Sequence, residues 1–121
     1  MALDPLQRVH AEGLRLQEAV DTEYGTARRQ NTWGRTQPQI VERWRLALRA
    51  WSQAVESALG ADQAALGRFR GAPAATAAPP GESADWLAIR NALGGKMTVL
   101  AALLQERKAG GAPPRSVWRK P

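Results

Sequence analysis

The sequence contains no cysteine, and it has only one histidine, one tyrosine and one phenylalanine. The absence of cysteine excludes a disulfide framework, a thiolate zinc site and thiol catalysis. Valine and isoleucine together number eight, whereas alanine occurs 23 times, and this balance favours helices over a β-sheet. A chain of 121 residues, of which 44% are hydrophobic, is typical of one small globular domain.

Long apolar runs are also missing. No stretch approaches the ~18 uninterrupted apolar residues that a membrane-spanning helix needs. The first twenty residues are acidic and amphipathic, and they lack the apolar centre of a secretory signal. We therefore expect a cytoplasmic protein with no membrane partner.

The net charge of +6 is unevenly distributed along the chain. Residues 1–24 carry −3, residues 25–60 carry +4 and residues 109–121 carry +3. A strongly basic chain favours a nucleic-acid partner. A bias towards GC-rich codons explains the excess of arginine equally well, so the charge alone does not decide between these accounts.

Apolar residues recur at helical spacing in four segments. They predict helices at 5–24, 37–59, 63–70 and 84–108. Asp4 and Pro5 suit the start of the first helix, Thr36-x-x-Gln39 is a capping box for the second, and Gly60 suits its end. Because short connections place consecutive helices antiparallel, we expect an all-α fold: a small antiparallel bundle of three long helices and one short helix.

Two segments have no helical periodicity. Residues 71–82 are rich in alanine, proline and glycine and are predicted to be a flexible linker. Residues 109–121 are predicted to be a disordered basic tail. Residues 1–108 would then form the single domain. Gly94-Gly95 interrupts the last helix and predicts a kink or a close helix crossing.

Large apolar side chains predict the core. Trp44 and Trp51 share one face of the second helix, and we expect Trp86 to pack against them. The last helix carries a near-heptad seam, namely Trp86, Ile89, Leu93, Met97, Leu100 and Leu104. Gly13 lies within the apolar stripe of the first helix, where a partner helix could approach closely. Away from the seam lies a second, weaker apolar surface, namely Ala88, Ala92, Val99 and Ala102. Exposed apolar patches usually mark contacts, so we expect a homo-oligomer or a protein partner.

The Arg-rich segment 28–35 supplies four candidate contacts, Arg28, Arg29, Trp33 and Arg35. An aromatic ring among arginines can stack on a base while the cations hold phosphates. The alternative is that Trp33 folds back over the open end of the bundle. The tail supplies four more candidates, Arg115, Trp118, Arg119 and Lys120. One aromatic residue flanked by cations is typical of a short linear anchor, and the alternative is a solvated terminus.

Catalytic chemistry finds little support in the sequence. His10 is the only histidine, and no serine lies in a nucleophile-elbow context. The acidic residues of the first helix lie on several faces and lack the Glu-x-x-His partner of a di-iron bundle. We assign no catalytic residue, no metal ligand and no cofactor.

One ordered series of residues runs through positions 8–106. It comprises Glu12-Gly13-x-x-Leu16, Trp44, Trp51, Ala58-Leu59-Gly60, Phe69-Arg70, the Pro-rich break, Met97-Thr98-Val99-Leu100 and Leu103-Leu104. This series resembles small all-helical modules of uncharacterised bacterial proteins, some of which are similar to adaptor segments beside signalling or phage-defence effector domains. The resemblance supplies no catalytic residue, and the segments around Trp33 and Trp118 depart from it.

Two functions follow as expectations. The first is a non-enzymatic interaction or adaptor module that docks on a partner protein or self-associates through the seam of its last helix. The second is a basic accessory protein that binds nucleic acid through residues 28–35 and the tail.

Overall fold

The computed structural model describes residues 4–76 and 81–111. Four α-helices make up most of this part of the chain: α1 (Pro5–Arg29), α2 (Trp33–Leu59), α3 (Gln63–Arg70) and α4 (Ala84–Gly111). These residues contain no strand, so the prediction of an all-α fold is confirmed. Asp4 caps α1 and Asp62 caps α3, each accepting a hydrogen bond from a backbone N–H of the first turn.

The connection between α1 and α2 is much shorter than predicted. Residues 25–36 were expected to form an Arg-rich loop, but α1 continues through Gly25 to Arg29 and only residues 30–32 connect the helices. Tyr24 and Ala27 are buried, and their packing holds the last turns of α1 helical in spite of Gly25. Arg28 and Arg29 therefore lie in the last helical turn, where cations favour the helix dipole.

The start of α2 also differs from the prediction. Thr36 and Gln39 lie inside the helix instead of forming its capping box, and the Thr36 hydroxyl donates a hydrogen bond to the Thr32 carbonyl. Pro38 lies six residues into α2 and cannot donate to the carbonyl of Gly34. Gly34 is exposed, so water can reach that carbonyl. The predicted end of α2 at Gly60 is confirmed.

The helix directions are only partly antiparallel. α2 and α4 both run opposite to α1, because Trp51 near the end of α2 contacts Val9 and Arg107 near the end of α4 pairs with Asp4. α2 and α4 are consequently parallel to each other, and Gln37 near the start of α2 donates a hydrogen bond to Asp85. Of the residues between α3 and α4, Pro73 and Ala74 lie against the middle of α4, and Glu82 and Ser83 are held by Tyr24 near its start.

The core consists of two clusters of buried side chains. The larger cluster contains Trp51 with Leu93, Met97 and Leu100, as expected. Trp44, however, lies in the second cluster with Trp86, so the predicted packing of Trp86 against both indoles holds for Trp44 only. The seam of α4 faces α1, α2 and α3 of its own chain. It is therefore not available for self-association, because Trp86, Ile89, Leu93, Met97 and Leu100 are buried and Leu104 is half-buried.

Gly13 confirms the predicted close approach between helices. A Cβ atom there would lie 2.7 Å from Cζ2 of Trp51 and nearer still to Sδ of Met97. Real Cβ atoms do not approach other atoms so closely, so α1 can pack against α2 and α4 at this point only with glycine.

The segment that crosses α4 at Gly94-Gly95 is the predicted linker rather than a helix. Backbone atoms of Pro73 and Ala74 lie against Gly95, and the backbone N–H of Ala75 donates a 2.9 Å hydrogen bond to the carbonyl of Asn91. We call residues 72–76 the crossing segment. Residues 77–80 of the linker lie outside the described residues, and the flexibility of 71–82 stays a prediction. The C-terminal boundary of α4 differs from the predicted 108, because the helix includes Gly110 and Gly111.

Candidate functional site

Four aromatic side chains meet at the end of the bundle where α2 and α4 begin. We call Tyr24, Trp33, Trp44 and Trp86 the aromatic cluster. Tyr24 stacks on Trp86 with ring centroids 4.4 Å apart and meets Trp33 edge-on at 4.9 Å, while Trp33 stacks on Trp44 at 5.5 Å. Trp33 thus folds back over the bundle end, which was the alternative to base stacking. Aromatic pairs in such geometries stabilise a fold by about 0.5–1.5 kcal/mol beyond their area burial.

The hydroxyl of Tyr24 holds the start of α4 in place. It donates a 2.8 Å hydrogen bond to Glu82, and it accepts hydrogen bonds from Arg28 at 2.6 Å and from the backbone N–H of Ser83 at 2.9 Å. Arg28 also pairs with Glu82 at 2.8 Å. The pKa of Arg28 is raised, chiefly by its hydrogen bond to Tyr24 and also by the Glu82 carboxylate. These contacts connect the end of α1 to the residues that precede α4.

Carboxylates of α1 bind the indole N–H groups of the aromatic cluster. Nε1 of Trp86 donates to Asp21 at 3.2 Å, and Asp21 also pairs with Arg90 at 3.5 Å. Nε1 of Trp44 donates in the same manner to Glu23 at 3.0 Å. The acidic residues of α1, expected on a solvated face, therefore include two that satisfy partly buried indoles and align three helices.

The four candidate contacts of segment 28–35 do not form one surface. Arg28 is held by Tyr24 and Glu82, and Trp33 is half-buried in the aromatic cluster. Arg29 and Arg35 are exposed, and neither makes an ion pair within the part of the chain that the structure describes. Two free cations are left where the sequence predicted a continuous basic loop.

The four candidate contacts of the tail lie outside the described residues. These are Arg115, Trp118, Arg119 and Lys120. The tail follows α4 at the end of the bundle where Arg107 meets Asp4, which is the end opposite Arg29 and Arg35. A helix of 28 residues is about 42 Å long, so the two halves of the predicted nucleic-acid site begin a bundle length apart.

The side of α4 opposite its seam carries a row of small apolar residues, of which Val99 also packs against the larger core cluster. We call this row the outer face of α4: Ala84, Ala88, Ala92, Val99 and Ala102. Ala84 and Ala88 are exposed and the other three are half-buried. No charged residue interrupts the row, which is about 27 Å long at 1.5 Å per residue.

The apolar character of α4 also meets the length and composition of a membrane span. Residues 84–108 include an 18-residue window with a mean hydropathy of 1.3, although the sequence analysis expected no such segment. Only 33% of that window is buried inside the chain. A core helix of a soluble protein meets the same criterion, and the seam of α4 is packed as in such a helix. Outside the buried seam, most residues of this window are half-buried and only a minority are exposed.

A pocket with a volume of about 200 Å³ lies between α1, α4 and the crossing segment. Its lining residues include Gln17, Asp21, Ala75, Arg90 and Gly94. Ligand pockets usually measure about 300–1,000 Å³. Among residues 4–76 and 81–111, no group of three or more histidine and carboxylate side chains is placed to hold a metal ion.

Sequence reasoning missed the bonds of the Tyr24 hydroxyl and the path of the crossing segment. The Gly94-Gly95 pair was the available signal for a close approach, but a sequence pattern does not reveal which segment approaches.

The comparisons with known proteins add no neighbour, since no family model, no curated protein and no solved structure matches the chain.

Proposed function

We propose that this chain is a non-enzymatic helical interaction module that pairs with a second copy of itself through the outer face of α4. The observation that carries the proposal is an apolar helix of 28 residues whose inward seam is buried, while its outer face is exposed at Ala84 and Ala88 and half-buried at the other three positions. Apolar surface that a small domain leaves exposed often marks an interface.

Small side chains suit this face to helix pairing. Alanine at four of its five positions lets two helix backbones approach to the lower end of the usual 8–10 Å range. Ala88 and Ala102 are equally spaced on either side of Gly95, and Ala92 and Val99 are nearly so. Two antiparallel copies related by a two-fold axis near Gly95 would therefore match small residues from Ala88 to Ala102, while Ala84 would lie opposite Glu106 of the second copy.

Charged pairs flank the two ends of the row on one side. Asp85 lies 3.9 Å from Arg45 near the start of α4, and Glu106 lies 2.7 Å from Arg68 near its end. All four side chains remain substantially exposed. An antiparallel two-fold arrangement brings each pair beside the other pair of the second copy, where oppositely charged groups are available to both.

The test is a charge placed on the outer face. In Ala88→Glu a carboxylate would be desolvated at the interface, so self-association measured by sedimentation velocity over a range of concentrations should fall by about tenfold or more. Ala50→Glu is the matched control, because Ala50 is an exposed alanine in the interior of α2 that lies outside the row. It should associate like the unsubstituted chain.

Equal association of Ala88→Glu and Ala50→Glu would contradict the proposal. The same would be true of a chain that stays monomeric at every concentration. If the chain instead floats with lipid vesicles and Ala88→Glu abolishes flotation, the outer face binds lipid and the proposed protein partner is wrong. We propose a cytoplasmic location, supported by the packing of the α4 seam against three other helices.

From the resemblance to adaptor segments, we propose that the module acts beside an effector domain in a bacterial signalling or defence system. A module that pairs with itself would bring two effector domains together, and this gives dimerisation a use in such a system. Co-purification of a tagged chain with effector proteins of its own cell tests this placement.

Nucleic-acid binding is the second candidate, supported by the exposed and unpaired guanidinium groups of Arg29 and Arg35 at the α1–α2 connection. If these two groups alone contact phosphates, log K should fall with log salt at a slope of about −2 on duplex DNA. The double variant Arg29→Glu, Arg35→Glu should then lose binding. Unchanged affinity and salt slope would rule out this site.

A further inference from the structure

The crossing segment lies on the outer face of α4 at its centre. The carbonyl carbon of Pro73 would be 2.9 Å from a Cβ atom at Gly95, and Cα of Ala74 would be 3.1 Å from it. The segment then continues towards α1, because Cβ of Ala75 would lie 3.5 Å from a Cβ atom at Gly94. Residues 72–76 thus pass over the helix between Ala92 and Val99 and divide the row of small residues in two.

A second helix cannot cover the whole row while the segment is there. Helices that pack through small residues have axes about 8 Å apart, which leaves no layer for an intervening backbone. The segment is in direct contact with Gly95, the position through which the two-fold axis of the proposed pair would pass. Complete pairing of two α4 helices therefore requires residues 72–76 to move.

The crossing segment itself is weakly held. The side chains of Pro73, Ala74, Ala75 and Thr76 are exposed, and only Ala72 is half-buried. A backbone hydrogen bond from Ala75 to Asn91 joins the segment to α4. A net contribution of about 0.5–1.5 kcal/mol from that bond is small beside the packing of the core, so the segment can leave α4 without unfolding the bundle.

We propose that the crossing segment gates the outer face of α4: in place it blocks pairing with a second copy, and displaced it exposes one continuous small-residue face. This inference rests on the proposed function. Because both copies must expose the face, the apparent association constant of the pair equals the intrinsic constant multiplied by the square of the fraction of chains in which the segment is displaced.

A disulfide between the segment and α4 tests the gate. The separation of 3.5 Å between the Cβ positions of Ala75 and Gly94 lies within the range of disulfides. The chain has no other cysteine, so the double variant Ala75→Cys, Gly94→Cys forms one defined intramolecular bond. Oxidation should hold the segment in place and weaken self-association by about tenfold or more, and reduction should restore it. Mass spectrometry confirms the bond, and both single-cysteine variants under reducing conditions serve as controls.

A second pair of variants opens the gate instead of closing it. Gly95→Ala places a methyl group against the carbonyl of Pro73, whereas Gly94→Ala makes only an ordinary contact with Ala75. Both substitutions raise the helix propensity of α4 equally. Gly95→Ala should therefore associate several-fold more tightly than Gly94→Ala, and the amide of Ala75 should lose hydrogen-exchange protection only in Gly95→Ala.

The outcomes separate the two proposals. If the oxidised and reduced double-cysteine variants associate equally while Ala88→Glu does not associate, the gate is wrong and the interaction face stands. If Gly95→Ala loses exchange protection at Ala75 and still fails to associate, and every other variant also fails to associate, the gate and the interaction face are both wrong. If association of the double-cysteine variant depends on its oxidation state, and the added Ala88→Glu substitution abolishes that association, both proposals are supported.

Discussion

Replacing Gly13 by alanine tests the closest contact in the bundle. The new methyl group would point into the indole of Trp51, with ring carbons at 2.7 and 2.9 Å, and would lie nearer still to Sδ of Met97. Trp51 cannot move away freely, because its indole N–H donates a 2.7 Å hydrogen bond to the carbonyl of Val9 on the same helix as Gly13. The substitution must therefore push α1 away from α2 or displace a buried ring.

Gly25→Ala is the matched control for this prediction. Gly25 also lies inside α1, and a Cβ atom there would meet only the far end of the Arg29 side chain, at 3.3 Å. Each substitution gains about 1 kcal/mol of helix propensity. Overpacking at Gly13 costs about 1–3 kcal/mol or more. Gly25→Ala should thus stabilise the chain by up to about 1 kcal/mol. Because the propensity gains cancel, Gly13→Ala should be the less stable of the two by the overpacking cost, about 1–3 kcal/mol.

Urea denaturation followed by tryptophan fluorescence measures this difference from the midpoints, provided that the slopes agree. In a Met97→Ala background the cost of Gly13→Ala should shrink but not vanish, since the contact with Trp51 remains. Equal stabilisation by Gly13→Ala and Gly25→Ala would refute the packing of α1 against α2 and α4 at this point.

Three further predictions address the core, the aromatic cluster and the surface. Trp51→Ala should cost about 3–5 kcal/mol, a large part of the ~5–10 kcal/mol of a small domain; an unchanged melting temperature would remove Trp51 from the core. Tyr24→Phe keeps the stack on Trp86 but removes all three hydrogen bonds of the hydroxyl, so it should cost about 1–2 kcal/mol in urea denaturation, and no loss would show that these bonds do not form. Hydrogen bonds from Arg68 lower the pKa of Glu106 below its unfolded-state value, so their stabilising effect is present at neutral pH and is lost as the pH falls through the folded-state pKa. The urea midpoint of the unsubstituted chain should therefore decrease slightly more on acidification than that of Glu106→Gln. A larger decrease in the variant would contradict the lowered pKa of Glu106.

Local patterns predicted the interior of the helices but not all of their ends. α3 has the predicted bounds because Asp62 caps it and Gly71 follows it, so its two ends are encoded within ten residues. The predicted end of α1 was wrong, because a glycine ends a helix only where the residues beyond it are not packed against the core. Here Tyr24 and Ala27 are buried on either side of Gly25. Burial against another helix overrides local propensity, and a periodic pattern does not show where that burial ends.

The candidate surfaces were harder to predict because they depend on which elements meet. Trp33 and Arg28 are residue types that commonly contact nucleic acid. In the structure, however, Trp33 stacks on Trp44 and Arg28 pairs with Glu82. The parallel arrangement of α2 and α4 is what assembles these partners, since it places the starts of both helices beside the end of α1. Part of the chain between α3 and α4 crosses α4, and the absence of side chains at Gly94 and Gly95 lets the backbone of Pro73 and Ala74 lie directly against the helix there. The alanine-rich linker and the glycine pair thus form one crossing together. Taken alone, the linker sequence predicts a flexible segment, and the glycine pair predicts a weak point in a helix.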